Sequence, residues 1–556
     1  MYRDHAENIE SLNIMELPIN TNTNYPLQNK NRKTVSFKGP FPFYTTSGFM
    51  NLAQNNAAFS TGVVDIFGMV APRTAIDSNR NEHAGVETFR REIMGTIVNN
   101  VSPGFLALGI AALMHPVMKV NAKIWANSET ADLLKEAWSS TENNELKTEN
   151  YVKNVFSRIK GLEGSEWKSY TEEKWKSLPE KIKNEYGNPV EEMVKLINNK
   201  NLSKTDYNRS IEKVQNAIGT TVKSRKNINV SWNDTTKKPL ETSIEHLIRD
   251  MRDVGEHIFI KSKTPEAIDT AISKLKKVNF TKSFGALAVL CTVDFVTQYV
   301  NRKMTSKKTG KKGFVGYKDF ENGDCELKDS NKKRNLNIAK AVGVAALIGL
   351  NAVFIGRKNL VRKLEFKNAY ANLNQIRLLF SSAVAGRIVA SDDGNELRET
   401  CTRDFFSYFN WLVLGDFVTK GAIWFSDKDR SLINFNKISK DDLEKIKNPF
   451  KKFWRWSQDI SIKTHSEVLD LERSGTINST EKAAKLKVLN KSIGAGLVYS
   501  TIVLGIGIPV LNILLTNKKR NQELAAQKLN ITPIAVKNKL TNKNNVNDQL
   551  FSAFIK

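Results

Sequence analysis

The chain has 556 residues, 40% of them hydrophobic, with only 14 Pro and 30 Gly. That length holds several units of the usual ~100–200 residues, and the low Pro and Gly content excludes a collagen-like or low-complexity chain and argues against an all-β one. The formal charge of +26 admits a polyanionic partner, nucleic acid or anionic lipid, but residues 120–279 carry 28 Lys+Arg against 24 Asp+Glu, a net of +4, so +22 falls elsewhere, much of it beside apolar segments.

Residues 1–47 read as a flexible tail. The first 36 are polar and hold no apolar core of a signal peptide, and Gly39-Pro40-Phe41-Pro42-Phe43 stiffens the end. Residues 48–119 read as a first set of membrane helices. A small-residue apolar helix runs from about Ala57 to Ala71, interrupted by Asp65. Ile93 to Met118 then offers 26 residues without Lys, Arg, Asp or Glu, and a membrane helix needs about 20; Asn99, Asn100, Pro103 and Pro116 weaken it. Residues 120–279 change character. Trp167, Tyr170, Trp175 and Leu178, then Leu196, Ile197, Val214 and Ile218, and finally Ile244 to Val254 recur at amphipathic helical spacing between charges. This predicts a polar helical insertion with its own core and a surface for a protein partner.

Apolar character returns over 280–365 and 366–520. Phe284 to Val300 is interrupted only by Asp294. Ala341 to Gly356 is uncharged over 16 residues, Phe405 to Phe425 is broken by Asp416 and Lys420, and a polar linker covers 427–490. Ile493 to Thr516 is the strongest candidate, with 24 uncharged residues before Asn517-Lys518-Lys519-Arg520. Residues 521–556 form a basic tail. The loop 302–336, with 11 basic residues against 5 acids, is cytoplasmic by the positive-inside rule. Residues 357–375 are also basic, 5 against 1. If Ala341–Gly356 crosses, one of these loops lies on the unfavoured side; a re-entrant or buried helix is the alternative. Gly494, Gly496, Gly505 and Gly507 permit close helix packing, and Pro509 kinks its helix or ends it early.

Short matches recur in order along the chain and point to an internal duplication, 48–365 against 369–520. Asn51, Leu52, Gln54, Phe59 and Ser60 match Asn372, Leu373, Gln375, Phe380 and Ser381. Glu87-Thr88-x-x-Arg91-Glu92 matches Glu399-Thr400-x-x-Arg403-Asp404, and Arg73 and Asp77 answer Arg387 and Asp392. Leu350–Phe354 matches Leu511–Leu515. Transporters are often built from such repeats, an analogy of architecture alone. A further pairing sets Val293–Thr297 against Gly415–Thr419.

Three groups of residues invite a functional reading. Asp294 and Thr297, and Asp416, Thr419 and Lys420, put a carboxylate and a hydroxyl on one face of an apolar helix. Intramembrane carboxylates of this kind serve as ion or proton ligands, or as structural partners of arginine or lysine. Arg73, Asp77, Glu87, Arg91, Arg387, Asp392, Glu399 and Arg403 form a repeated charge cluster, either an ion- or substrate-binding site or a structural salt-bridge network. Asp77 and Asp392 are expected near the N-terminus of the next helix, where negative charge is favoured. Phe450, Lys451, Lys452, Phe453, Trp454, Arg455 and Trp456 alternate rings and charges, which suits the membrane–water interface better than stacking on nucleic acid.

Cys291, Cys325 and Cys401 form no CxxC pair, and the six histidines are scattered, so no metal site is expected. Thr309–Gly313 fails the phosphate-loop pattern, no GxSxG or HExxH occurs, and no cofactor is expected. The prediction is an all-α, multi-pass helical bundle in the cell membrane, entering without a cleavable signal peptide. It is non-enzymatic, in contact with anionic headgroups, and serves transport or membrane scaffolding. A soluble or peripheral helical interaction protein with one large apolar core is the alternative, favoured by a mean hydropathy of −0.39. An enzyme acting on lipid or envelope substrates is a third reading without specific support.

Overall fold

The computed structural model describes residues 46–528 except 56, 143–144, 162–168, 200–201, 223–226, 263, 311–329, 357–359, 411–413, 436–439 and 474–475. The Gly39–Phe43 segment, most of the 302–336 loop and most of the C-terminal tail lie outside the described residues. The described chain is predominantly helical, in agreement with the all-α expectation. Four of its helical segments are long and apolar enough to cross a membrane: Glu82–Met118, Pro265–Thr309, Arg334–Phe354 and Ser479–Lys518, the last with a mean hydropathy of 2.1.

Helices α1 (Thr46–Asn55) and α2 (Ala57–Val63) lead through a π-helical turn, Val64–Val70, into α3 (Ala71–Ser78). Helix α4 (Glu82–Thr96) is capped by Asn81, whose side chain accepts from the Ala84 N–H. It passes through a second π turn, Ile97–Val101, into α5 (Ser102–Met118). Pro103 occupies the first turn of α5, where a missing N–H leaves nothing unpaired. The helix stops where Lys119 takes a left-handed φ of 54°.

There the chain enters a lobe built from α6 (Ser128–Ser139), α7 (Lys147–Ser157), β1 (Ile159–Gly161), α8 (Glu172–Lys176), α9 (Glu180–Tyr186), α10 (Pro189–Asn198), α11 (Lys204–Val222), β2 (Asn227–Val230), β3 (Leu240–Ser243) and α12 (Ile244–Val254). One apolar cluster runs from Ala111, in α5, to Val278, and Trp138 stacks on Phe259 at 4.9 Å within it. The three strands pair antiparallel in the order β1-β2-β3, Ile159 opposite Val230 and Ile228 opposite Thr242. The helical reading of this region missed that sheet, whose strands are too short to show an alternating pattern.

Helix α13 (Pro265–Thr309) has 45 residues, about 68 Å at 1.5 Å per residue and more than twice the ~30 Å hydrocarbon thickness. Its first part, Ile268 to Val278, completes the lobe core, while Leu287 and Leu290 pack in the bundle. It lies along α5 and α16 and ends at Gly310, φ 71°. Helices α14 (Ser330–Phe354), α15 (Leu360–Leu364), α16 (Leu373–Ala390), α17 (Gly394–Phe409) and α18 (Gly415–Ser426) follow. The Lys340 amine donates to the Val389 carbonyl at 3.0 Å and Arg377 to the Phe354 carbonyl at 3.5 Å. Thus α14 runs antiparallel to α16 from Lys340 to Phe354. The Phe405–Phe425 stretch is not one of the four long apolar helices, because α17 and α18 divide it.

A second, smaller lobe holds β4 (Ile433–Phe435), α19 (Lys440–Glu444), α20 (Pro449–Asp459), β5 (Ile460–Ile462) and α21 (His465–Arg473), with Leu432, Trp456, Val468 and Leu489 in its core. The last pair, α22 (Ser479–Ile502) and α23 (Ile508–Lys528), is joined by a π turn, Val503–Gly507. Pro509 neither stops nor breaks this helix; the π turn just before it absorbs the distortion. A Cβ on Gly505 would meet the Gly68 carbonyl oxygen at 2.5 Å, so two π turns pack backbone on backbone, as only glycine permits.

Within the larger lobe, Asp250 is 5% exposed. Burial, then the Asp253 carboxylate, push its carboxyl well above the ordinary 3.8, against the pull of Lys282 and Lys367. A folded-state pKa above the unfolded one means that the native lobe binds the extra proton. Stability is therefore highest on the acid side and falls as pH rises above about 3.8. Asp250→Asn is expected to raise the lobe's unfolding midpoint at pH 7 and flatten this fall. A wild-type midpoint that does not decline with pH across that window counts against the assignment.

Candidate functional site

One end of the bundle is a buried layer of arginines and carboxylates. It lies where α3 ends and α4 begins, where α16 ends and α17 begins, and where the C-terminal parts of α13 and α23 arrive; both lobes sit at the other end. From α3, Arg73 donates to the Leu504 carbonyl (3.1 Å) and the Ser407 hydroxyl (2.7 Å) and pairs with Glu92 (3.5 Å). Arg91 binds the same Glu92 at 3.1 Å. Arg387 on α16 pairs with Asp404 at 3.1 Å, reaches Glu92 at 3.8 Å and donates to Gln298 at 3.2 Å. Arg403 holds Asp404 at 2.9 Å. Arg80 bridges Asp77 (3.3 Å) to Glu399 (3.0 Å). Arg302 of α13 bridges Glu87 (3.3 Å) to Glu396. The Thr88 hydroxyl closes the set on Asp77 at 2.6 Å.

The six arginines named here face six carboxylates, so the layer is formally neutral. A buried charge without a partner costs far more than a paired one. The guanidinium fork, with its five donors, suits bridging of this kind.

The contacts recur in two halves. Arg73 with Glu92 repeats as Arg387 with Asp404, and Arg91 with Glu92 repeats as Arg403 with Asp404. Asn301 donates to the Glu87 carbonyl at 3.0 Å, as Asn512 does to that of Glu399 at 2.8 Å. Thr305 and Thr516, one turn beyond these asparagines, also each accept from an arginine, though Arg90 and Arg398 stand a helical turn apart in the matched segments. The helix caps recur too, Asn81 for α4 and Asp393 for α17.

Seven of the eight residues expected in a charge cluster lie in this layer: Arg73, Asp77, Glu87, Arg91, Arg387, Glu399 and Arg403. Asp392 does not. It is exposed in the α16–α17 turn, offers its backbone N–H to Glu396 at 2.9 Å, and leaves the capping to Asp393. Asp77 likewise is not the cap of α4. Arg80, Glu92, Arg302, Glu396 and Asp404 complete the layer. Glu92 and Asp404 stand in the repeated motif itself, whereas nothing local marks Arg302. The Leu350–Phe354 match is displaced, because the partner of Asn512 in the recurring contacts is Asn301 on α13 and not a residue of α14. Asn372 and Gln375 form a capping box for α16, while Asn51 and Gln54 lie inside α1.

The two carboxylate–hydroxyl faces are separated. Asp294 is 1% exposed on α13, and its Oδ2 has no hydrogen-bond partner; Thr297 is half-buried. The Asp416 side chain is 63% exposed and paired with Lys420 at 2.7 Å, and Lys420 also donates to the Ser457 carbonyl at 3.1 Å. Thr419 donates to the Gly415 carbonyl at 3.2 Å and abuts Gly496 of α22. Since α18 packs on α22 and α13 on α5 and α16, these two faces do not meet.

Along α20, Trp456 is buried against Trp424 (5.7 Å) and Phe453 (5.6 Å). It belongs to the core of the smaller lobe and not to an interface. Phe453, Lys451 and Arg455 are exposed and Lys452 is half-buried; the side chains of Phe450 and Trp454 lie outside the description. Among the described residues, no group of three or more His, Cys, Asp or Glu side chains is placed to hold a metal ion.

Comparisons with family models, curated proteins and solved structures each return no match.

Arg387→Met strips both Glu92 and Asp404 of one guanidinium and should destabilise the protein by about 3–5 kcal/mol, read as thermal unfolding in detergent. An unchanged transition means that these pairs do not close in the native protein.

Proposed function

We propose that the chain is an integral, multi-pass membrane protein without enzymatic activity, built from two helical repeats joined through the ion-pair layer, and that it scaffolds its larger lobe at one membrane face. One observation carries this reading: the outer faces of the long helices are apolar and uncovered. Phe105 is 75% exposed, Leu113 81%, Ile348 66% and Val353 75%. The uncharged Ile493–Thr516 run exposes Val498, Ile502, Ile506, Leu511 and Leu515. A soluble protein with one large core would bury these side chains, whereas a bilayer solvates them.

The recurring contacts support the duplication. The topology follows from the helix directions. The loop after α13 and the tail after α23 share one membrane side, and both are basic. The lobe of residues 120–264 and the segment 427–478 share the other. Headgroup contacts fall to Lys451, Phe453 and Arg455 of α20, and a protein partner binds the lobe. Transport is the second reading, favoured by Asp294, a buried carboxylate on an apolar helix.

Carbonate extraction of a tagged full chain should leave it in the membrane. Protease sites placed in 311–329 and after 530 should be cut from one side, and a site near 234 from the other. Release by carbonate, or cleavage of all three from one side, overturns the reading.

A further inference from the structure

Two buried carboxylates of the bundle helices stand outside the ion-pair layer, Asp294 on α13 and Asp65. Asp77, Glu87, Glu92, Glu396, Glu399 and Asp404 each have an arginine within 4 Å. Asp65, in the Val64–Val70 π turn and 3% exposed, has no ion-pair partner among the described residues. Its Oδ2 accepts from the Asn100 amide at 2.6 Å, and the Asn100 carbonyl accepts from the Thr61 hydroxyl at 2.7 Å. A neutral dipole, and no cation, thus meets Asp65. The other oxygen, Oδ1, is buried without a hydrogen-bond partner. Asn99, beside Asn100 in the Ile97–Val101 π turn, also buries an acceptor oxygen, Oδ1, with no donor. The Thr96 hydroxyl, which also neighbours Asp65, donates to the Glu92 carbonyl at 3.1 Å, so two acceptor oxygens in these facing π turns are left without a donor, which a proton would supply.

We propose that Asp65 is a proton-binding site inside the bundle, with the proton on Oδ1 of a neutral carboxyl group that Asn100 and Thr61 orient. An ionised carboxylate at this position would lack both water and a counter-charge, at a cost that protonation removes. The charged groups nearest to it, Arg73 on α3 and Glu92 on α4, are paired with each other at 3.5 Å. Helices α1 and α2 carry no charge, and the α22–α23 segment facing the π turn is uncharged from Ile493 to Thr516. Tyr499 of α22 is engaged elsewhere, donating to Asn410 at 2.7 Å. π turns are frequent at functional sites, because the widened turn disturbs the regular backbone ladder. Here one such turn supplies the acid and the other the amides, so proton gain or loss at Asp65 acts on the contact between α2 and α4.

The proposal depends on the membrane reading only for the scarcity of water around the bundle. Its test is infrared difference spectroscopy on purified full chain, which remains readable if carbonate extraction fails that reading. The wild type is expected to show, near neutral pH, a protonated-carboxyl C=O band component that downshifts in D2O. It should be lost in Asp65→Asn, kept in Asp294→Asn and moved in Asp65→Glu, the variant to use if Asp65→Asn does not fold. Spectra of Asp65→Asn or Asp65→Glu that superimpose on the wild type overturn the proposal. A second arm measures thermal unfolding in sodium against choline chloride at equal ionic strength. No shift is expected, and a sodium-dependent stabilisation of the wild type that Asp65→Asn lacks would show that the site takes a metal cation instead.

Discussion

An arginine taken out of water must find oxygens for five donors, and a carboxylate must find donors for its lone pairs. Where water is excluded, these requirements fix geometry more tightly than apolar packing does, because a slipped apolar contact costs little and an orphaned charge costs several kcal/mol. Arg73, Arg387, Arg80 and Arg302 each join different helices through such bonds. Glu92 is shared by arginines of both halves. The end of the bundle is thus pinned in register by pairs that tolerate no sliding, and the outward faces are left free to be uniformly apolar. Each lobe keeps its own core, and the larger one shares helix α13 with the bundle.

The long helices were legible in the sequence because the absence of charge over 20 or more residues is a strong signal. The same signal misled at Phe405–Phe425, where composition is apolar but α17 and α18 are separate. The charge layer was half legible. Glu-Thr-x-x-Arg stands out because it occurs twice, and Arg73 and Arg387 because they precede it at similar distance. Arg302 and Arg80 were invisible, since each finds a carboxylate hundreds of residues away by folding alone: Arg302 reaches Glu87, and Arg80 reaches Glu399. Asp392 does stand beside the N-terminus of α17, as expected, but its side chain is exposed and does not join the layer. The short strands of the larger lobe left no periodic trace.

Asp65, Asn99 and Asn100 looked like defects that weakened two apolar helices. The fold makes Asp65 and Asn100 partners, while Asn99 keeps an acceptor oxygen without a donor: a side chain that is costly on one helix becomes acceptable when the facing helix brings the complementary group to the same depth. The π turns at both places, and another at Val503–Gly507 packed on Gly68, lie where the bundle helices carry their polar groups or approach closely. The polar groups that these turns carry, Asp65 and Asn99, are buried.

Helix α13 behaves mechanically as a lever. Its lobe end is tied by Lys276 to Asp132 at 2.9 Å, its middle is wedged at Ala286 against Ala107 and Phe366, and its far end carries Asn301 and Arg302 into the charged layer. With a pivot near the middle, a tilt of about 5° moves an end about 35 Å away by roughly 3 Å, the length of one hydrogen bond. A tilt at the lobe end of α13 would therefore act on the bonds that Arg302 makes with Glu87 and Glu396. The fold couples a wet surface to its most rigid dry joint through a single uninterrupted rod.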